Sequence, residues 1–122
     1  MSNILIVDDD DGIRSFLHAL LAEEGFQVRT ACNGIEALNI LQCEGDWVVL
    51  LDMRMPGLDG RGLLRELEAN PCLHHHARVA LMSAGWGLTQ PCPDPRPTFV
   101  EAVLDKPFEL DTILDVVTQL AS

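Results

Sequence analysis

Two short apolar runs of this chain end abruptly in aspartate. Ile4-Leu5-Ile6-Val7 runs into Asp8-Asp9-Asp10-Asp11, and Val48-Val49-Leu50-Leu51 runs into Asp52. Carboxylates brought together repel unless a cation or a proton intervenes. The simplest resolution is a hard cation, and Mg²⁺ is the usual one where a few carboxylates work with phosphate. Two further groups suit the same chemistry. Ser83 ends the apolar run Val79–Met82, and Lys106 follows another at about Ala102–Leu104. A lysine ammonium is a compact charge that pairs with phosphate oxygens, and a hydroxyl donates one hydrogen bond. A carboxylate can also be the nucleophile, giving an aspartyl-phosphate. Phosphoryl transfer needs in-line geometry and charge neutralisation more than covalent machinery.

These groups can meet only if the runs that carry them end on one edge. Short apolar, β-branched runs read as strands buried on both faces of a parallel sheet. In open α/β sheets, ligands sit beyond the carboxyl ends of the strands. The intervening segments supply the crossovers that such a sheet requires. After a strand at Asn3–Val7, the residues Ile13, Phe16, Leu17, Leu20 and Leu21 recur on one helical face, and Gly25 is the stop signal. Phe26–Ala31 reads as a second strand, and Asn33 can cap a helix carrying Ile35, Leu38 and Leu41. Trp47–Leu51 is the third strand. Pro56-Gly57 and Asp59-Gly60 mark a loop, and a helix with Leu63, Leu64 and Leu67 ends before Pro71. Val79–Met82 is the fourth strand, and a last helix runs from about Glu109 to Leu120. Between Gly85 and Pro97, prolines at 91, 93, 95 and 97 rule out a helix interior where the alternation expects one. The expected fold is α/β: a (βα)5 doubly wound, five-stranded parallel sheet of flavodoxin-like type, with the fourth helix short, irregular or absent.

The totals bound the function. At 122 residues the chain suffices for one domain, 1–122, and its 48% hydrophobic and 22% charged content is ordinary for a globular protein. A net charge of −11 disfavours direct binding to nucleic acid and to anionic membranes. No apolar stretch is long enough to span a bilayer and no signal peptide opens the chain, so the expected setting is cytoplasmic. The four cysteines, Cys32, Cys43, Cys72 and Cys92, form no CxxC pair and are expected as reduced thiols. Cys72 with His74-His75-His76 reads as a polar loop before a strand rather than as a zinc site, which needs organised spacing.

The order and spacing of four motifs resemble the response-regulator receiver domain of two-component signalling, of the CheY-like superfamily. They are Ile4–Asp9 with Ile13-Arg14, then Leu50-Leu51-Asp52-Met53-Arg54-Met55-Pro56-Gly57-Leu58-Asp59-Gly60, then Met82-Ser83-Ala84, then Asp105-Lys106-Pro107-Phe108. The resemblance covers essentially the whole chain, and the four motifs together are specific. It implies that Asp52 accepts a phosphoryl group from a phosphohistidine on a sensor histidine kinase or phosphotransfer protein. It implies that Asp9, Asp52 and the backbone carbonyl of Arg54 bind Mg²⁺ directly and that Asp8 acts largely through water. Lys106 would hold the phosphate, Ser83 would move toward it, and the Lys106–Pro107 bond would be cis. Asp10 and Asp11 belong instead to the start of the first helix, where acids suit the dipole. The expected activity is regulatory: self-catalysed phosphoryl transfer and slow autodephosphorylation rather than turnover as an enzyme. The expected output is a switch in protein contacts with an output protein or effector domain, a phosphorylation-dependent dimer among them.

Two departures touch the output. Receivers usually carry an aromatic three residues before the lysine, and here that position is Val103. The segment 85–97 lacks helical character in the region that, with its neighbours, forms the family's usual output surface. An order–disorder change of the 85–99 loop is the corresponding expectation for the switch. The competing reading is a receiver-like interaction module whose output is independent of phosphorylation. A haloacid-dehalogenase-type phosphatase ranks lower, because that family places a second aspartate two residues after the nucleophile, where this chain has Arg54.

Overall fold

The computed structural model describes residues 3–42, 46–52, 60–70, 77–83, 100–105 and 110–121. Among these residues five strands are described: β1 (Asn3–Val7), β2 (Gln27–Ala31), β3 (Trp47–Asp52), β4 (Ala77–Ser83) and β5 (Val100–Asp105). Four helices are described: α1 (Asp11–Glu23), α2 (Gly34–Leu41), α3 (Gly60–Ala69) and α4 (Leu110–Ala121). The strands form one parallel sheet in the order β2-β1-β3-β4-β5. The chain winds outward to β2, then returns past β1 to β3, so the order reverses between β1 and β3. In open α/β sheets, ligands bind at the carboxyl edge beside such a reversal.

The sheet separates two cores by the two-residue alternation of its strands. Leu5, Val7, Val49, Leu51, Val79 and Leu81 face α2 and α3, meeting Ala37, Leu41, Leu63 and Leu67. Ile4, Ile6, Val48, Leu50, Ala80 and Met82 face the other way, meeting Leu17 and Leu21 of α1 and Ile113, Val117 and Leu120 of α4. The central strands are thus apolar on both faces, which is why they read as unbroken hydrophobic runs. In β5 the register skips a residue, since Val79 pairs with Val100 and Ala80 with Ala102, leaving Glu101 as a bulge.

Helix boundaries have local causes. Asp10 is the N-cap of α1, its side chain accepting from the amides of Gly12 at 2.8 Å and Ile13 at 3.2 Å. The same helix stops at Gly25, which adopts φ 95°, a left-handed value that favours glycine. Its amide donates to the Ala22 carbonyl and that of Phe26 to the Leu21 carbonyl, the double closure of a Schellman motif. Asn33 caps α2 by accepting from the Glu36 amide at 2.9 Å.

The expected faces need two corrections. Phe16 is 49% exposed, although its spacing groups it on one helical face with Leu17 and Leu21, and Ile35 is 59% exposed on a helix whose Leu41 is buried. On α1 the buried stripe is centred on Leu17 and Leu21, and Phe16 falls at its margin. On α2 the buried residues are Gly34, Ala37 and Leu41, of which Ala37 and Leu41 join the core with the sheet, and Ile35 is turned outward. Strand bounds also shift: β2 starts one residue later than expected, β4 and β5 run longer, and α3 begins at Gly60. The expectations for Arg54, for Lys106 and its bond to Pro107, for the 85–99 segment with its missing helix, and for Cys72 with the three histidines lie outside the described residues.

Candidate functional site

The ends of β1 and β3 stand side by side, with Val7 paired to Leu51. Asp8 prolongs β1 by one more ladder bond, its amide donating to the Ala31 carbonyl of β2 at 3.1 Å. Asp52 is the last residue of β3 and pairs with Met82. Ile4, Ile6 and Asp8 share one alternation set, and Val48, Leu50 and Asp52 share the matching set of β3. Strand periodicity therefore delivers the two carboxylates to the same side of the sheet at the same level.

Asp8 is fully buried and Asp52 is 6% exposed, and they are the buried charged residues among those described. Asp9, one step further along the turn, is exposed. Carboxylate oxygens of Asp8, Asp9 and Asp52 lie within 4.8 Å of one another. One Asp8 oxygen accepts from the Asp10 amide at 2.9 Å, which folds the turn back on itself. The Asp8 carbonyl accepts from Arg14 Nη1 at 2.7 Å, and Arg14 Nη2 pairs with the Asp11 carboxylate. Carboxylates brought this close repel one another unless a cation or a proton intervenes. Three hard oxygen donors converging at a sheet edge fit Mg²⁺, which is held by few carboxylates and keeps water or phosphate oxygens in its remaining positions.

The other expected site residues divide. Ser83 ends β4 and pairs across to Asp105, the last residue of β5 and the one before Lys106 in sequence. Backbone register therefore puts the Ser83 position on the same carboxyl edge, one step beyond the level of Asp52. Val103, where an aromatic is usual, lies in β5 and pairs with Leu81. Among the described residues, the structure brings Asp8, Asp9 and Asp52 together. The role of Arg14 against the Asp8 carbonyl was not foreseen. Its spacing of three from Asp11 on a helix signals the ion pair with Asp11, but not the bond to the Asp8 carbonyl.

Comparison with known proteins decides what this edge belongs to. Residues 4–118 match the response regulator receiver domain family. The chain belongs to that family. It is 37% identical over 114 residues to sporulation initiation phosphotransferase F of Bacillus subtilis, covering 93% of this chain and 89% of that relative. It is 36% identical over 123 residues to the regulatory protein AtoC of Escherichia coli, covering 99% of this chain but only 25% of the relative. Several of the transcriptional regulators it matches are likewise spanned only to about a quarter of their length. Among solved structures, the response regulator TrrA of Thermotoga maritima, in complex with Mg²⁺-BeF, superposes with a TM-score of 0.80 at 31% identity, covering 98% of this chain and 99% of that one. The receiver is therefore a domain of two-component response regulators with the flavodoxin-like fold. Among its described residues, no helix is long and apolar enough to cross a membrane.

Proposed function

We propose that this receiver is a Mg²⁺-dependent phosphoacceptor in a phosphorelay, with Asp52 as the acceptor. The observation that supports the reading is the convergence of the Asp8, Asp9 and Asp52 carboxylates at the reversal point of the sheet. Asp8, Asp9, Asp52 and the Arg54 carbonyl would hold Mg²⁺. When bound, the ion supplies positive charge that offsets the repulsion between a carboxylate nucleophile and an anionic phosphoryl group.

The chain's own residues do the rest. An Asp52 oxygen forms the new bond to phosphorus while the bond from phosphorus to the donor's imidazole nitrogen breaks, and that nitrogen keeps the electron pair. Burial of Asp52 at the end of a rigid central strand limits the directions from which a donor can approach. Lys106 balances charge on the phosphate oxygens, and Ser83 donates to one of them. Hydrolysis of the acyl phosphate returns the domain to its resting state, so the activity is regulatory rather than that of an enzyme acting on an external substrate. The donor is a sensor histidine kinase or phosphotransfer protein, and the product state alters contacts with an output protein, an effector domain or a second copy of the chain. The domain occupies residues 1–122 as one unit and works in the cytoplasm, with neither nucleic acid nor membrane as its direct partner.

A second reading, an interaction module independent of phosphorylation, draws on Val103 in place of the aromatic. Incubation with acetyl phosphate and MgCl₂ separates the two. The first expects a mass gain of one phosphoryl group that disappears in Asp52→Asn and in EDTA. No gain under any condition favours the second.

A further inference from the structure

The phosphoryl chemistry makes no use of Arg14, yet this guanidinium is bound to the turn that carries two of the three acids. Nη1 donates to the Asp8 carbonyl at 2.7 Å, and Nη2 pairs with Asp11. The Arg14 side chain is 18% exposed, whereas that of Asp11 is 87% exposed. One branch of the fork thus reaches inward to the site and the other outward to an anchor in solvent. We infer that Arg14 is a positioning residue for Mg²⁺ binding, holding the Asp8–Asp9 peptide so that both carboxylates stay beside Asp52 against their mutual repulsion. The inference rests on the reading above, that these acids take the metal.

The carbonyl oxygen of Asp8 and the amide nitrogen of Asp9 belong to one planar unit. Fixing the oxygen fixes the plane from which the Cα of Asp9 departs. Asp9 is exposed and stands between the last ladder bond of β1 and the cap of α1, so the tilt of that plane sets where its carboxylate falls. The Asp8 amide is tied to Ala31, the Asp10 amide to the Asp8 side chain, and the Arg14 amide to the Asp10 carbonyl at 3.0 Å. The Arg14 side chain adds a tie from the helix to the peptide itself. Removing it leaves like charges free to spread by rotation of that peptide. Lysine cannot substitute, because one nitrogen on a flexible stem does not span two acceptors as the rigid fork does.

The test uses the full chain as wild type, Arg14→Ala, Arg14→Lys and Asp11→Asn. Each is freed of metal, melted in EDTA and titrated with MgCl₂ by calorimetry. Acetyl phosphate labelling is then followed against Mg²⁺ concentration, and amide exchange at Asp9 and Asp10 is measured without metal. Arg14→Ala is expected to weaken Mg²⁺ binding about tenfold, as losses of groups that orient metal ligands do. The half-saturating Mg²⁺ for labelling should rise by the same factor while the maximal rate stays within about twofold, since ligand placement and not the acceptor is altered. Amide exchange in the turn should quicken. Arg14→Lys should stay close to Arg14→Ala, and the exposed Asp11→Asn should weaken binding about two- to threefold.

Unchanged affinity in a folded Arg14→Ala overturns the inference, and so does full rescue by lysine, which would make the effect one of charge alone. If Arg14→Ala does not fold, wild-type affinity in both Arg14→Lys and Asp11→Asn overturns it equally. A wild type that neither binds Mg²⁺ nor becomes labelled defeats the phosphoacceptor reading and this inference together. A wild type that does both, beside variants that match it, defeats the tether alone.

Discussion

Two strand-to-helix turns stand next to each other on the carboxyl edge, one after β1 and one after β2, with Val7 paired to Ala31 beneath them. Both open a helix with a side-chain cap, Asp10 in the first and Asn33 in the second. In the second, the local chemistry closes on itself. Asn33 accepts from the Glu36 amide, and Glu36 reaches back to accept from the Cys32 amide at 3.0 Å. One carboxylate is present and the Cys32 backbone amide meets it. In the first, capping uses only Asp10, while Asp8 and Asp9 turn toward a third acid from β3. Helix-start rules account for the whole of one turn and for half of the other. Asp8 also accepts from the Asp10 amide, but helix capping does not require its approach to Asp9 and Asp52, and that convergence marks the site.

The largest effect should come from relieving that crowding. Asp9→Asn removes one of three charges whose oxygens lie within 4.8 Å of one another. At that spacing, with Asp9 itself exposed to water, the repulsion is worth about 1 kcal/mol. Without metal the variant should therefore be more stable than wild type by about that amount. With metal the order should invert. A wild type at a hundred times its Kd for Mg²⁺ gains about 2.7 kcal/mol, and a variant that no longer binds gains nothing. Melting temperatures in EDTA and in MgCl₂ would show the crossing. Equal destabilisation of Asp9→Asn in both conditions would make the two turns alike and remove the metal from the argument.

A smaller effect of opposite character belongs to the second turn. Asn33→Ala deletes the acceptor for the Glu36 amide and should cost about 1 kcal/mol in urea denaturation. The loss should be the same with and without Mg²⁺, and calorimetric Mg²⁺ affinity should stay at the wild-type value. A metal-dependent loss would mean that the β2–α2 turn belongs to the site.

Much of this was legible in the sequence for a physical reason. Buried parallel strands advertise themselves as runs such as Ile4–Val7 and Val48–Leu51, because both faces must be apolar. Strand ends then place Asp8 and Asp52 without further information, since an alternation of two fixes which side each carboxylate takes. Gly25 and Asn33 declared their roles through chemistry that few other residues supply. The amphipathic faces were less legible. Phe16 and Ile35 fit a helical stripe by spacing alone, but which members of the stripe are buried depends on how the helix sits on the sheet, and at α2 the buried residues are Gly34, Ala37 and Leu41. The tie from Arg14 to Asp8 was hidden for another reason. It joins a side chain to a backbone carbonyl six residues earlier, and residue types do not report which carbonyl is within reach.

The smallest expected effect tests whether the two turns are independent. The Glu36 carboxyl is held below its ordinary value of 4.5, first by the Cys32 backbone amide, then by the Cys32 side chain, with a lesser contribution from the positive charge of Arg14. A carboxyl whose folded pKa is depressed stabilises the fold above its unfolded value and loses that contribution as the pH falls through the folded one. Stability should therefore carry a Glu36 component that is complete above about 4.5 and fades below it. Glu36→Gln keeps an oxygen acceptor for the Cys32 amide but cannot titrate. Its acid limb should be shallower than that of wild type, and the two curves should converge at low pH. Glu36 is fully exposed, so salt should shrink the difference. Urea denaturation across the acid limb at low and high ionic strength would measure it. The informative comparison adds Arg14→Ala. If the Arg14 charge reaches Glu36, that variant raises the Glu36 pKa toward its ordinary value while it weakens Mg²⁺ binding. One arginine would then tie the metal turn mechanically and the capping turn electrostatically. If Glu36 titrates identically with and without Arg14, the two turns share an edge of the sheet and nothing else.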